Sequence, residues 1–311
     1  MNSYFRTWVV LAMIPGIAAV SANDILEQVT HGYADHDGVK IHYAELGEGP
    51  LVVMIHGFPD YWYTWRHQMA GLADGYRVVA VDLRGYNKSD QPEGIEAYDM
   101  SLLIGDLAAV IRHLGEDSAV IVGHDWGGVI SWNFAFYMPK MVDALVLLNL
   151  PHPNGLAQAW SGTPDALKGA DYARVFRAGS PSDPEIFFGN PMTPRTLSFW
   201  VSDEEARNHY VEAFKRSSFD GMLAFYKQNY PDLWNPDYEP GPPSPNIAIS
   251  TLMFHGLKDT ALHSDGLNNT WDWIDADLTI VTVPEANHFV QQDAPELVTQ
   301  TLRSWLDQRI K

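Results

Sequence analysis

Apolar residues along this chain fall into short runs, separated by polar turns and by longer stretches with helical spacing. Residues 51–55, 77–81, 119–122, 144–148, 251–255 and 278–283 form the short runs. Their length and β-branched content predict strands buried on both faces of a sheet. Between the earlier runs, residues 62–72, 101–114 and 129–137 carry apolar side chains three and four apart, which predicts helices. Leu103, Leu107, Val110, Ile111 and Leu114 are one such stripe, and Gly115 ends it. Residues 30–46 predict two strands around the turn signal Asp37-Gly38. Strands alternating with helices at this interval predict an α/β fold with a mostly parallel sheet covered on both faces.

The pattern changes after Asn149. Residues 151–246 hold no strong strand, but do hold helix-like runs at 204–216 and 221–230. Pro231, Pro236, Pro240, Pro242, Pro243 and Pro245 follow. Clustered prolines stiffen a connector and exclude helix. Residues 151–246 are therefore expected to be a helical insertion. It divides a core made of residues 23–150 and 247–311, and the core closes on an amphipathic helix over 294–309.

The first 22 residues are expected to lie outside the fold. A short segment with one Arg precedes the apolar stretch 7–20, and Val20-Ser21-Ala22 supplies small residues at a cleavage site. This is the pattern of a secretory signal peptide cut before Asn23. The stretch is shorter than the ~20 residues a spanning helix needs, and Pro15-Gly16 interrupts it. The expectation is a secreted or periplasmic protein with no stable membrane insertion. Two glycosylation triplets, at Asn87 and Asn268, are short enough to arise by chance.

Composition narrows the chemistry. A chain of 311 residues, 46% hydrophobic and 19% charged, has material for one large core. A net charge of −19 repels nucleic-acid phosphate. There is no cysteine, which removes disulfides and thiolate catalysis. No metal-ligand spacing stands out, and neither a metal nor a cofactor is expected.

Within this frame, Ala119-Val120-Ile121-Val122-Gly123-His124-Asp125-Trp126-Gly127-Gly128 stands out. A buried strand ends at a glycine, an acid follows, and two glycines open a helix. That is the form of a nucleophile elbow, in which a strained turn holds one side chain above a sheet. The residue at its tip is Asp125. Asp259 follows the run 251–255, and His288 follows the run 278–283. Nucleophile, acid and histidine thus occur in the order this architecture uses. Alone, Asp259 would be a turn acid and His288 a loop histidine. At the ends of three predicted strands they form a catalytic set.

An Asp nucleophile limits the substrate. Attack on a carboxylic ester would leave an anhydride, whereas displacement at saturated carbon leaves a stable alkyl ester. His288, oriented by Asp259, can then activate water against that ester. Epoxides and alkyl halides fit best.

Residues 56–59 (His-Gly-Phe-Pro), Trp65-Arg66, Arg84-Gly85-Tyr86, the full elbow, residues 148–151 and the surroundings of Asp259 and His288 carry a family resemblance. The chain resembles the α/β-hydrolase superfamily and, within it, the soluble epoxide hydrolases. The resemblance implies an oxyanion hole from the Phe58 and Trp126 N–H groups. It also implies a helical cap whose two tyrosines hold the epoxide oxygen of a small-molecule substrate. Tyr226 matches the second of these. The family often has its first directly before a Phe, where this chain has Val175, and Tyr172 lies one helical turn earlier. Trp62, Tyr63, Phe134, Phe176, Phe199 and Trp200 are candidate pocket aromatics, while His56 and His124 shape the turns.

Two alternatives stay open. A haloalkane or haloacid dehalogenase would use the same nucleophile. Haloalkane dehalogenases usually add an Asn where this chain has Phe58. Fluoroacetate dehalogenases place Arg residues where it has Trp126 and Val129. The alternative from another class is a non-catalytic ligand-binding protein on the same fold.

Overall fold

The structure is a computed structural model and describes residues 25–310. The expected signal peptide falls outside the described residues.

Eight strands form one sheet: β1 (Thr30–His36), β2 (Val39–Leu46), β3 (Leu51–Ile55), β4 (Arg77–Val81), β5 (Ala119–His124), β6 (Val142–Leu148), β7 (Thr251–Gly256) and β8 (Leu278–Val283). Their order is β1-β2-β4-β3-β5-β6-β7-β8. β2 runs antiparallel to both neighbours, and from β4 onward every pair is parallel. β3, β5 and β7 are buried along their whole length, as their continuous apolar runs require. β8 differs from its expected buried pattern: it is the edge strand, and most of its residues are half-buried.

The chain goes from β3 to β4 on one side, then crosses back so that β5 lies on the other side of β3. The crevice beyond the carboxyl ends of β3 and β5 is therefore a switch point, where ligands bind in open α/β sheets. Register keeps these ends level. Ile55 pairs with Gly123, and His124 pairs with Leu148.

Helix boundaries differ from expectation in informative places. A 3₁₀ turn, Trp62–Trp65, precedes the helix Arg66–Leu72. The helix after β5 is Trp126–Tyr137, so it begins directly after Asp125, three residues earlier than the periodicity suggests. Its opening residues Trp126-Gly127-Gly128 are all buried, so the stripe that marks a half-exposed helix is absent.

Between β6 and β7 the chain forms helices Pro153–Gly162, Pro164–Gly169, Asp171–Ala178, Pro194–Leu197, Glu204–Phe214 and Phe219–Asn229. The last two were legible in the sequence and have polar caps: Asp203 accepts from the Ala206 N–H, and Ser218 from the Gly221 N–H. The first two each begin at a proline and end at a glycine, and the third, Asp171–Ala178, is only eight residues long, so none offers a long periodic stripe. The insertion is tied to the loops after β3 and β4. Tyr210 Oη donates to Asp60 Oδ1 at 2.8 Å, the Ser218 N–H donates to the Gly85 carbonyl at 2.8 Å, and Arg216 forks onto Asn87 Oδ1 at 2.7 and 3.0 Å. Asn87 is buried and its amide also donates to Asp82, so the first glycosylation triplet offers no free nitrogen. Among the described residues no helix is long and apolar enough to cross a membrane.

Gly127 shows how tightly the elbow packs. A Cβ there would lie 2.1 Å from the Ile55 carbonyl oxygen and 2.6 Å from that of His56. Gly127→Ala is expected to cost about 1–3 kcal/mol by overpacking. Thermal unfolding checks this, and an unchanged Tm would show that the backbone yields without cost.

Candidate active site

Asp125 occupies the turn between β5 and the helix Trp126–Tyr137, with φ 50° and ψ −120°. A non-glycine residue in this region stores roughly 1–3 kcal/mol of strain. The strain is repaid by position. The carboxylate stands above the sheet ends and is nearly sealed, with the residue 6% exposed. Gly57 makes room for it, since a Cβ at that position would lie 2.3 Å from Asp125 Cβ.

The three residues expected at strand ends converge. His288 Nδ1 is 2.8 Å from Asp259 Oδ2, and His288 Nε2 is 3.5 Å from Asp125 Oδ2. The imidazole thus lies between two carboxylates. The other oxygen of Asp125, Oδ1, accepts from the Phe58 N–H at 2.7 Å. Trp126 N–H, the second expected oxyanion donor, is the first amide of its helix and bonds to neither Asp125 oxygen. An unclaimed amide at a helix start is available to charge that develops later in a reaction.

Asp259 is held as firmly as the histidine it faces. Its Oδ1 accepts from the Ala261 and Leu262 N–H groups at 2.9 and 3.0 Å. Its Oδ2 accepts from Asn149 Nδ2 at 2.8 Å as well as meeting His288. Asn149 is the supporting residue to which the sequence assigned no role. It follows β6 with φ 43°, a conformation asparagine tolerates. Its side chain also reaches the Asn287 carbonyl and accepts from the Gly256 N–H. Its sequence signals were its place between a buried strand and Pro151 and its membership of the 148–151 stretch that carries the resemblance, neither of which gave it a role. The buried His124 donates Nε2–H to the His288 carbonyl at 2.8 Å, and His56 Nε2 accepts from the Leu83 N–H at 3.0 Å. Both histidines shape turns, as expected.

Electrostatics follow from burial and pairing. For His288, burial opposes the charge, but Asp259 and Asp125 together hold its pKa up at about 10. For Asp259, burial pushes up and the facing His288 outweighs it, leaving the carboxyl at about 2. Asp125 also ends below the ordinary carboxylate value: burial raises it, and His288, His124 and the Phe58 N–H more than offset that. His124 is driven down to about 3, by burial first and by the His288 charge next, so it stays neutral.

The cap supplies the opposite wall. Tyr226 is buried, with its ring edge-on to Trp126 at 5.0 Å and to Phe58 at 5.5 Å. Tyr172 is half-buried and stands edge-on to Tyr226 at 6.0 Å. Burial raises both phenol pKa values, and the Asp125 carboxylate raises them further, which fits hydroxyls facing that anion. Val175 is 43% exposed, whereas Tyr172 and Phe176, four residues apart, share the inner face of Asp171–Ala178. Of the candidate pocket aromatics, Phe176 borders the site, edge-on to Tyr226 at 5.0 Å and to Phe58 at 5.3 Å. Trp62, Tyr63 and Phe134 belong to the core, and Phe199 is 60% exposed. Trp200 stacks on Phe289, beside His288, at 3.5 Å. Tyr230, one turn beyond Tyr226, was not among the sequence candidates and also lies at the site.

Known proteins share this arrangement of chain. A family model for the alpha/beta hydrolase fold matches residues 50–295. Epoxide hydrolase 3 of Xenopus tropicalis is 33% identical over 289 residues, covering 89% of this chain and 77% of that protein. Epoxide hydrolase A of Mycobacterium tuberculosis is 32% identical over 316 residues, covering 89% and 97%. The crystal structure of Bacillus megaterium epoxide hydrolase with an inhibitor superposes with a TM-score of 0.79 at 26% identity. It covers 89% of this chain and 100% of that one.

The double contact of His288 can be tested directly. Asp125→Asn removes one of the two carboxylates that raise its pKa, so its titration midpoint should fall below the wild-type value while Asp259 still supports it. NMR of the His288 ring protons across pH reads this. An unchanged midpoint would show that Asp125 does not act on His288.

Proposed function

The chain belongs to the alpha/beta hydrolase family, and on that premise we propose that it is an epoxide hydrolase working through a covalent ester on Asp125. The observation that carries this reading is the placement of the Asp125 carboxylate. One oxygen is held by an oxyanion-type N–H, the other faces His288, and two phenols stand across from it.

In the first step a carboxylate oxygen of Asp125 attacks an epoxide carbon, forming a C–O ester bond and breaking the ring C–O bond. The ring oxygen leaves with the electron pair. Tyr226 and Tyr172 hydrogen-bond it and pass it a proton. A halide would not need these donors in the same way, because it leaves as a stable anion without protonation. The phenol pair therefore favours the epoxide over the alkyl halide.

Ester formation also changes His288. In the resting site two carboxylates hold it as imidazolium. Esterification neutralises Asp125 and removes one of them, so the imidazole releases its proton more readily. That proton balances the one taken up by the ring oxygen. Neutral His288, kept in orientation by Asp259, then takes a proton from water through Nε2. The water oxygen attacks the Asp125 carbonyl carbon. The negative charge that develops on the carbonyl oxygen meets the Phe58 and Trp126 N–H groups. Collapse breaks the ester bond, His288 returns its proton to the departing oxygen, and a vicinal diol leaves. One water has been added.

Replacing the base should stop the cycle halfway. His288→Gln is expected to accumulate the ester, seen by mass spectrometry as one substrate mass added to Asp125. A variant that turns an epoxide over without any such adduct would contradict the covalent route.

The charged start, apolar stretch and small residues before Asn23 support export, and we propose that the mature protein is secreted or periplasmic. Mass spectrometry of the protein from its native host should find Asn23 at the N-terminus. Finding Met1 or Asn2 there would overturn export with cleavage.

A further inference from the structure

Tyr230 follows the helix Phe219–Asn229, and its N–H still donates to the Tyr226 carbonyl at 3.2 Å. It therefore continues the helical face that carries Tyr226 into the site. The two rings are near parallel, with centroids 6.0 Å apart and planes at 29°. The Tyr230 ring also meets Trp126, the residue after the nucleophile, at 6.4 Å.

The ring is held firmly from behind. Trp234 stacks on it at 6.4 Å with planes at 13°, and Trp160 packs at 5.9 Å. Trp234 is itself fixed, since its Nε1–H donates to Asp171 Oδ1 at 3.0 Å, beside Tyr172. Aromatic packing of this kind leaves the hydroxyl little freedom to seek a partner elsewhere.

That hydroxyl is sealed from solvent and has no hydrogen-bond partner. A buried unpaired hydroxyl costs about 1–3 kcal/mol. Burial raises its pKa, and the charge acting on it is that of Asp125. It acts in turn on the Tyr172 phenol. Of the phenols that the Asp125 charge reaches, Tyr172, Tyr226 and Tyr230 come from the cap and Tyr86 from the loop after β4, whereas holding the ring oxygen occupies two.

We propose that Tyr230 is a specificity-determining residue whose hydroxyl donates a hydrogen bond to a second oxygen of the substrate, carried on the carbon next to the epoxide ring. The substrates favoured are epoxides with an ether, hydroxyl or carbonyl oxygen at that position. The proposal rests on the epoxide hydrolase reading and adds the substrate class. A site with a preplaced donor discriminates by leaving that donor unpaired when the analogue lacks the oxygen.

A matched pair of substrates tests it. Propyl glycidyl ether and 1,2-epoxyheptane have the same chain length and differ in one atom, the ether oxygen next to the carbon that adjoins the ring. Wild-type enzyme should form diol from both, with the lower KM for the ether. Tyr230→Phe keeps the ring packing and removes only the hydroxyl. It should raise KM for the ether about tenfold, the size of one neutral hydrogen bond. Its kcat for the ether, and both constants for epoxyheptane, should stay within about twofold of wild type. Equal losses on both substrates would overturn the proposal and place Tyr230 in ring opening. No change on either would overturn it too, and would mean the hydroxyl meets only water. Tyr226→Phe, by contrast, should lower kcat for both. A wild type that forms diol from neither epoxide would overturn the epoxide hydrolase reading as well.

Discussion

One imidazole between two carboxylates is the interaction on which this molecule turns. His288 touches Asp259 at 2.8 Å and Asp125 at 3.5 Å in a site almost closed to water. Three charges in so dry a place are tolerable only if each has a partner. Asp259 therefore takes two backbone N–H groups and the Asn149 amide besides His288. Asp125 takes the Phe58 N–H. The sheet delivers these partners, because the groups stand at or just beyond the carboxyl ends of β3, β5, β6, β7 and β8. A parallel sheet brings those ends to one edge of the molecule, and the reversal of strand order at β3 opens room there.

The same cluster accounts for the strained turn. Asp125 pays for its φ of 50° because a relaxed backbone would not hold the carboxylate between Phe58 and His288. Close packing keeps the turn from relaxing. The helix that follows starts against the Ile55 and His56 carbonyls, at a glycine that admits no side chain. Strain at the nucleophile and close packing beneath it are two sides of one constraint.

The cap completes the electrostatics. It covers the carboxylate with aromatic faces and phenol hydroxyls. Negative charge at the nucleophile is thereby answered mainly by His288 and by neutral donors. In the proposed cycle, formation of the ester would shift the charge balance at His288 and free the residue that stabilises Asp125 to act as the base. Polar ties at Asp60, Gly85 and Asn87 hold this lid to the core loops.

The sheet, the elbow and the order Asp125, Asp259, His288 were legible in the sequence, because each rests on local signals. Apolar runs mark strands buried on both faces, glycines mark the tight turn, and titratable residues at strand ends mark a site. Tyr226 was legible through resemblance and a long helix. The short helices before it, the edge position of β8 and the supporting role of Asn149 were not. Helices of six to ten residues, two of them bounded by proline and glycine, are too short to leave a long periodic stripe. An asparagine that bridges two distant loops does so across more than a hundred residues of chain. Tyr172 turns inward and Val175 outward because of how their helix packs, which spacing alone left open. Tyr230 looked like one tyrosine among 14. Only the folded cap, by burying its hydroxyl without a partner and stacking its ring on Tyr226, set it apart from the others. Sequence determined which groups could react. Tertiary packing decided which of them face one another, because burial, partner and distance belong to pairs of residues far apart along the chain.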